Sequence, residues 1–156
     1  MSIAPIARTI EVRTPPAESF ELFTGRMGEW WKGGTPAGDK AAIVVEPRVG
    51  GRWFERNAAG VETQWGTVLA WEPPARLLLG WQLDSSFRYD PDLLTEVELT
   101  FAALPDGGTR VRLEHRDLER FGADAERMAQ AVGNGWPARL ADFGQFTQAK
   151  EEATHG

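Results

Sequence analysis

Polar and apolar residues alternate along much of the chain with the period of two that is typical of β-strands. Seven segments carry this alternation or a short apolar run, and turn sequences rich in Gly, Pro, Asn and Asp separate most of them. The pattern predicts seven strands, and their short connections favour antiparallel neighbours. The first strand covers Ile6 to Val12, and the other six cover 41–46, 52–57, 62–71, 77–83, 95–103 and 109–115.

Two short helices are predicted between the first and second strands. The stretch TPPAESFELF opens the first helix, with Thr14 expected as its N-cap and two prolines in its first turn. Gly25 ends this helix, and a short helical turn then carries Met27, Trp30 and Trp31.

A long helix is predicted from Ala123 to about Lys150. Its apolar residues recur at steps of three or four and so share one face, which consists of Met128, Val132, Trp136, Leu140, Phe143 and Thr147. Pro137 lies within this stretch, where it would clash with the carbonyl of Gly133 and remove a helical hydrogen bond. We therefore expect a kink or a short break at this point.

The outer face of the predicted sheet should be polar, because one long helix and two short ones cannot cover both faces. In the last two strands the residues expected to point inward are Val97, Leu99, Phe101, Val111, Leu113 and His115. Strand 62–71 leaves two choices open. Its inward set is either Trp65, Thr67, Leu69 and Trp71 or Gln64, Gly66, Val68 and Ala70.

Composition narrows the possible functions. The 156 residues fit one domain covering 1–156, and the net charge of -6 without a dense basic run argues against nucleic-acid binding. The chain has no apolar stretch long enough to span a membrane and no signal-peptide pattern at its start, so a cytoplasmic location is expected. It has no cysteine and no metal-ligand spacing, and we predict neither a metal nor a cofactor.

An ordered set of motifs resembles the START-like, or SRPBCC, superfamily, in its branch related to the activator of the heat-shock protein 90 ATPase. The motifs are PPAESFELFT, EWW, RVGGRW, WGTVLAWEPPARLLLGW, TEVELTFAALPDGGTRVRLEH and GWPARL. They cover nearly the whole chain. The resemblance implies an α+β helix-grip fold: a curved antiparallel sheet of about seven strands around a long C-terminal helix, with two short helices between strands one and two.

The resemblance also implies a cavity between sheet and helix, which the superfamily uses for lipids, hormones, polyketides and other apolar molecules. We expect a non-enzymatic binder of a small hydrophobic molecule. Two alternatives stay open: a co-chaperone-like partner of heat-shock protein 90, and a cyclase or isomerase that uses the same cavity. The oligomeric state is not indicated by the sequence.

The candidate ligand-binding residues are aromatic walls and polar anchors. The residues expected to line the cavity are Trp53, Trp81, Phe101, Met128 and Trp136. His115 is the one histidine away from the C-terminus, and it is either a ligand-binding group or a partner of a backbone carbonyl at the strand end.

Glu55 is the second polar candidate. If it points inward it needs a partner, for which Arg8 on the first strand is one option, because an unpaired buried carboxylate is costly. The alternative is that the strand twists outward and Glu55 is solvated.

Overall fold

A computed structural model describes residues 3–33, 35, 36, 38 and 40–155, with side chains as far as residue 153. The strands are β1 (Ile6–Val12), β2 (Lys40–Val45), β3 (Arg52–Asn57), β4 (Glu62–Glu72), β5 (Arg76–Trp81), β6 (Thr95–Ala103) and β7 (Thr109–Arg116). The helices are α1 (Pro16–Gly25), α2 (Met27–Trp30) and α3 (Ala125–His155), and a 3-10 segment covers Leu118–Asp124.

The strands form one antiparallel sheet in the order β1-β7-β6-β5-β4-β3-β2, and this sheet curls around α3. The two short helices lie between β1 and β2, so the predicted helix-grip fold is confirmed. None of the described helices combines the length and the apolar character needed to cross a lipid bilayer.

Helix α3 packs its predicted apolar face on the sheet, and all six residues of that face are buried. The helix continues through Pro137, so a break at this point is wrong, whereas a kink stays a prediction. Proline has no N–H to donate to the carbonyl of Gly133. Arg8 supplies the missing donor from β1, and its Nη2 lies 3.1 Å from the Gly133 oxygen.

Strand β4 follows neither of the two predicted parities. Its pairing with β3 skips Trp65, and its pairing with β5 skips Leu69. Each skipped residue is a β-bulge that shifts which side chains point inward. Trp65 and Val68 are therefore both buried, and Trp71 packs edge-on against Phe20 of α1 at 5.0 Å. A fixed period of two cannot describe this strand.

The start of α1 corrects a second expectation. The N-cap position is occupied by Pro15, and Thr14 makes no capping hydrogen bond. The hydroxyl of Thr14 is instead buried at 2.6 Å from the hydroxyl of Ser19, while its carbonyl accepts a bond from Thr109 at 2.7 Å. These contacts fasten the start of α1 to β7.

The outer face of the sheet carries a network of charged side chains, as predicted. Arg116 is its centre, with nitrogens 2.9 Å from Glu96, 3.1 Å from Glu98 and 3.0 Å from Glu114. Arg76 approaches the other oxygen of Glu98 at 2.5 Å. These cross-strand pairs lie on the outer face of β5, β6 and β7, opposite the face on which α3 packs.

The contact between Arg8 and Gly133 predicts a coupling between two substitutions. Arg8→Met keeps an apolar stem but removes the donor, and it should lower the free energy of unfolding by about 1 kcal/mol, the usual value of one such hydrogen bond. Pro137→Ala returns an N–H to the helix, so Arg8→Met should cost less in that background. Urea denaturation of the two single variants and the double variant measures the coupling. Equal costs in the two backgrounds would contradict this role of Arg8.

Candidate functional site

Two adjoining cavities lie at the inner face of the sheet, and α3 lines the smaller of them. They share the residues Trp31, Trp81 and Phe87. The larger cavity has a volume of about 400 Å³ and is also lined by Thr35, Pro36, Trp65, Leu83 and Ser86. The smaller one has about 160 Å³ and is also lined by Ala131, Val132, Gly135, Trp136 and Arg139. We call the two together the aromatic cavity, and its size suits a small-molecule site.

Four elements contribute the indole rings of the aromatic cavity. Trp31 follows α2, Trp65 is the bulged residue of β4, Trp81 ends β5 and Trp136 lies on α3. The ring centroids are 5.1 Å apart for Trp31 and Trp65, 6.0 Å for Trp31 and Trp136, and 5.8 Å for Trp81 and Trp136. These edge-on and tilted contacts hold the rings against one another.

Hydrogen bonds fix the polar ends of most of the indoles. Five indole N–H groups donate to a described acceptor, and they belong to Trp30, Trp53, Trp65, Trp81 and Trp136. The side chain of Trp31 is 8% exposed, and its Nε1 is buried without an acceptor among the described residues. A buried donor without a partner costs about 1 to 3 kcal/mol.

His115 supports two of the cavity walls. Its Nδ1 lies 3.2 Å from Nε1 of Trp136, and because indole only donates, Nδ1 must accept. The proton of the neutral ring is therefore on Nε2, which is 2.8 Å from the hydroxyl of Thr95. That hydroxyl in turn donates to the carbonyl of Trp81 at 3.2 Å. Both ring nitrogens are thus engaged, and burial lowers the pKa of His115 from 6.5 to about 3.

Glu55 is fully buried, so it points inward and is not the solvated residue of the alternative prediction. Its Oε1 accepts the N–H of Trp65 at 3.0 Å. The suggested pairing with Arg8 is wrong, because the guanidinium of Arg8 donates to the carbonyls of Ala7 and Gly133. Glu55 therefore anchors Trp65 from behind the cavity wall.

Of the predicted ligand-binding residues, Trp81 and Trp136 line the aromatic cavity. The others are buried behind its walls: Trp53 packs on Trp65 and Trp81, and Phe101 lies against α1. Met128 is buried on α3. Contact between these seven residues and a ligand stays a prediction.

Several residues that line the aromatic cavity were not among the predicted ligand-binding residues. They include Trp31, Trp65, Phe87 and Arg139. Trp31 and Trp65 belong to quoted motifs, so their indoles were a signal that could have been used. Phe87 and Arg139 come from a loop and from the polar part of a helix, and no periodicity marks them.

The loop between β5 and β6 lines both parts of the aromatic cavity through Phe87. Phe87 is 43% exposed and has a positive φ of 59°, which is unfavourable for a bulky residue. Asp84 holds the turn, because its Oδ1 accepts the N–H groups of Ser86 at 2.8 Å and Arg88 at 3.0 Å. Ser85 ties the loop to Asp124 by a bond of 2.6 Å.

The described residues contain no group of three histidine or carboxylate side chains arranged as metal ligands. The walls of the aromatic cavity are mostly apolar, with few polar groups.

Comparison with known proteins relates the chain to a family. Residues 13–147 match the family model described as Activator of Hsp90 ATPase homolog 1-like protein, and no curated protein matches significantly. The chain is similar to an anthrahydroquino-gamma-pyrone synthase, Txn09, complexed with SUM, with 34% identity and a TM-score of 0.67 over 92% of this chain and 97% of that one.

Two further solved structures are similar. The self-sacrificing resistance protein CalC from Micromonospora echinospora is 28% identical, with a TM-score of 0.72 over 94% of this chain and 95% of that one. An HSP90 activator from Plasmodium falciparum is 20% identical, with a TM-score of 0.53 over 72% of each chain, and this likeness shows the fold alone.

The low pKa of His115 predicts a pH dependence of stability. In the unfolded chain the imidazole binds a proton below its ordinary pKa of 6.5, whereas the folded protein keeps it neutral down to about 3. The contribution of neutral His115 to the free energy of unfolding is therefore fully present above pH 6.5, and it is lost as the pH falls from 6.5 towards 3. Between pH 7 and 5.5 the loss should be about 1 kcal/mol.

His115→Gln is the matched variant, since its amide can accept from Trp136 and donate to Thr95 without titrating. Urea denaturation at the two pH values should show the drop in the parent protein and a smaller drop in the variant. An equal drop in both would show that His115 does not cause it.

Proposed function

This chain belongs to the family of Activator of Hsp90 ATPase homolog 1-like proteins, and we propose that it binds a flat aromatic small molecule in the aromatic cavity. The observation that carries the proposal is the set of indole rings that line the cavity. Indoles from α3, β4, β5 and the residue after α2 surround a volume of about 400 Å³ with a smaller extension. Such walls offer large apolar area at little cost in side-chain entropy.

The similarity to Txn09 supports a guest of this shape. That protein is a synthase named for an anthrahydroquino-gamma-pyrone, which is a fused ring system. At 34% identity over nearly the whole of both chains, the likeness extends beyond the fold. The proposed guest therefore has two or more fused or linked aromatic rings, which can stack on and lie between the indoles.

The same similarity favours a second candidate function, a cyclase or isomerase reaction in this cavity. Glu55 is the candidate proton-moving group, as a buried carboxylate one indole away from the cavity, and it would reach a substrate only if Trp65 moved aside. His115 is less suited, because both of its nitrogens are engaged by Trp136 and Thr95. Chromatography with mass detection tests this function: a Glu55-dependent product from an aromatic polyketide precursor, absent with Glu55→Gln, would support it.

A co-chaperone role has weaker support. The likeness to the HSP90 activator is at the level of the fold. On the outer face, Arg110 pairs with Glu11 at 2.8 Å and Arg112 with Glu114 at 3.3 Å, so these charges already have partners within the chain. A change in the ATPase rate of heat-shock protein 90 on addition of this protein would favour that role over ligand binding.

Anthracene-2-carboxamide is a suitable neutral probe for the binding proposal. It should quench the tryptophan fluorescence in a saturable manner, because the bound rings would lie within contact distance of several indoles. Trp136→Leu removes one wall and should weaken binding by about tenfold, in line with the loss of an aromatic contact and its buried area.

Trp71→Phe is the matched control. Trp71 packs on Phe20 and lies outside the aromatic cavity, so the probe should bind this variant as it binds the parent protein. If saturable quenching is absent in the parent protein, the binding proposal fails. If Trp71→Phe and Trp136→Leu weaken binding equally, the site lies elsewhere.

A further inference from the structure

We propose that the guest of the aromatic cavity is an anion, with a carboxylate or phenolate oxygen that Arg139 binds at the α3 side. This inference rests on the proposed function and names the chemical class of its ligand. Of the described residues that line the aromatic cavity, Arg139 alone is charged. An otherwise apolar cavity with one cation selects an apolar body with one negative end.

The guanidinium of Arg139 is held in place by its surroundings. It lies over the ring of Trp31, with 5.8 Å between Cζ and the ring centroid. Its Nη1 packs on the backbone of Gly33 so closely that a Cβ at that position would overlap it. The side chain is 21% exposed, so most of its stem is removed from solvent. A fixed guanidinium loses little entropy when it binds an oxygen.

The guanidinium keeps donors available for a ligand. Its Nε lies 2.8 Å from Oδ2 of Asp142, in an ion pair without the alignment of a hydrogen bond. Among the described residues, no hydrogen bond engages Nη1 or Nη2. Asp142 is itself fixed, because Oδ2 accepts the N–H of Lys32 at 3.0 Å. Asp142 therefore orients Arg139 while leaving the two terminal nitrogens for an oxygen anion.

Trp31 and Thr35 each have one buried polar atom without a partner among the described residues. The ring of Trp31 lines both parts of the aromatic cavity beside Arg139, and its N–H lacks an acceptor in the described part of the chain. The hydroxyl of Thr35 is also buried, and it has no hydrogen-bond partner among the described residues. Neither of these two polar atoms is accessible from the cavity, so a guest oxygen would reach them only after a movement of the wall, and Arg139 is the group that selects the anion.

An isosteric pair of probes tests the charge. Anthracene-2-carboxylate and anthracene-2-carboxamide have the same shape and differ in one negative charge. At pH 7.5 the parent protein should bind the carboxylate more tightly. Arg139→Gln should weaken carboxylate binding by about tenfold or more, as expected for a charge-assisted hydrogen bond, and should change carboxamide binding by less than about twofold. Calorimetric titration gives both affinities.

Two further variants separate a local effect from the net charge. Asp142→Asn removes the carboxylate beside Arg139 but keeps an acceptor for Lys32, and it should leave carboxylate binding equal or tighter. Arg110→Gln makes the same change in net charge as Arg139→Gln, but on the outer face of the sheet, where Arg110 pairs with Glu11. It should leave the affinities of both probes unchanged.

Gly33→Ala covers the case in which Arg139→Gln does not fold. The added methyl would displace Nη1 of Arg139 without removing the charge, and it should reduce the preference for the carboxylate. Thermal unfolding identifies any variant that is not folded. If the parent protein binds the carboxamide but Arg139→Gln and Gly33→Ala leave the preference for carboxylate intact, the role of Arg139 is overturned. If neither probe binds the parent protein, the proposed function itself fails.

Discussion

The structure depends on one geometric constraint: a curled sheet of seven strands has a wider inner face than a single helix can cover. Helix α3 packs along β1, and α1 and α2 cover parts of β6 and β2. The space that these helices leave is bordered by indoles. Indoles are large enough to bridge from sheet to helix, as Trp81 and Trp136 do at 5.8 Å, and rigid enough to leave a defined volume between them.

Each large ring also brings a polar N–H into the interior, and much of the buried polar chemistry of the chain serves these groups. Glu55 and His115 are the two polar candidates from the sequence, and each accepts a hydrogen bond from an indole, that of Trp65 and Trp136 respectively. The low pKa of His115 follows from its burial, which disfavours the charged imidazole. Buried residues with titratable side chains can therefore serve to fix the aromatic side chains that line the cavity.

The sequence was sufficient for the individual strands and helices because most of their signals are local, whereas the helix-grip arrangement was implied by the resemblance. Alternation marks β6 and β7, and the repeat from Met128 to Thr147 marks α3. The alternation did not predict which residues of β4 point inward, because the two bulges depend on pairing with neighbouring strands. The sequence also predicted a break at Pro137, since the compensating donor is Arg8, more than a hundred residues away along the chain. The cavity was expected from resemblance, whereas Phe87 and Arg139 became visible only when the loop and helix were placed.

The left-handed backbone at Phe87 has a consequence for the aromatic cavity. A residue with a side chain in this conformation is strained by about 1 kcal/mol relative to glycine. Glycine would relax the turn, but it would also remove a ring that lines both parts of the cavity. At this position the chain therefore has the lining ring at the expense of backbone stability.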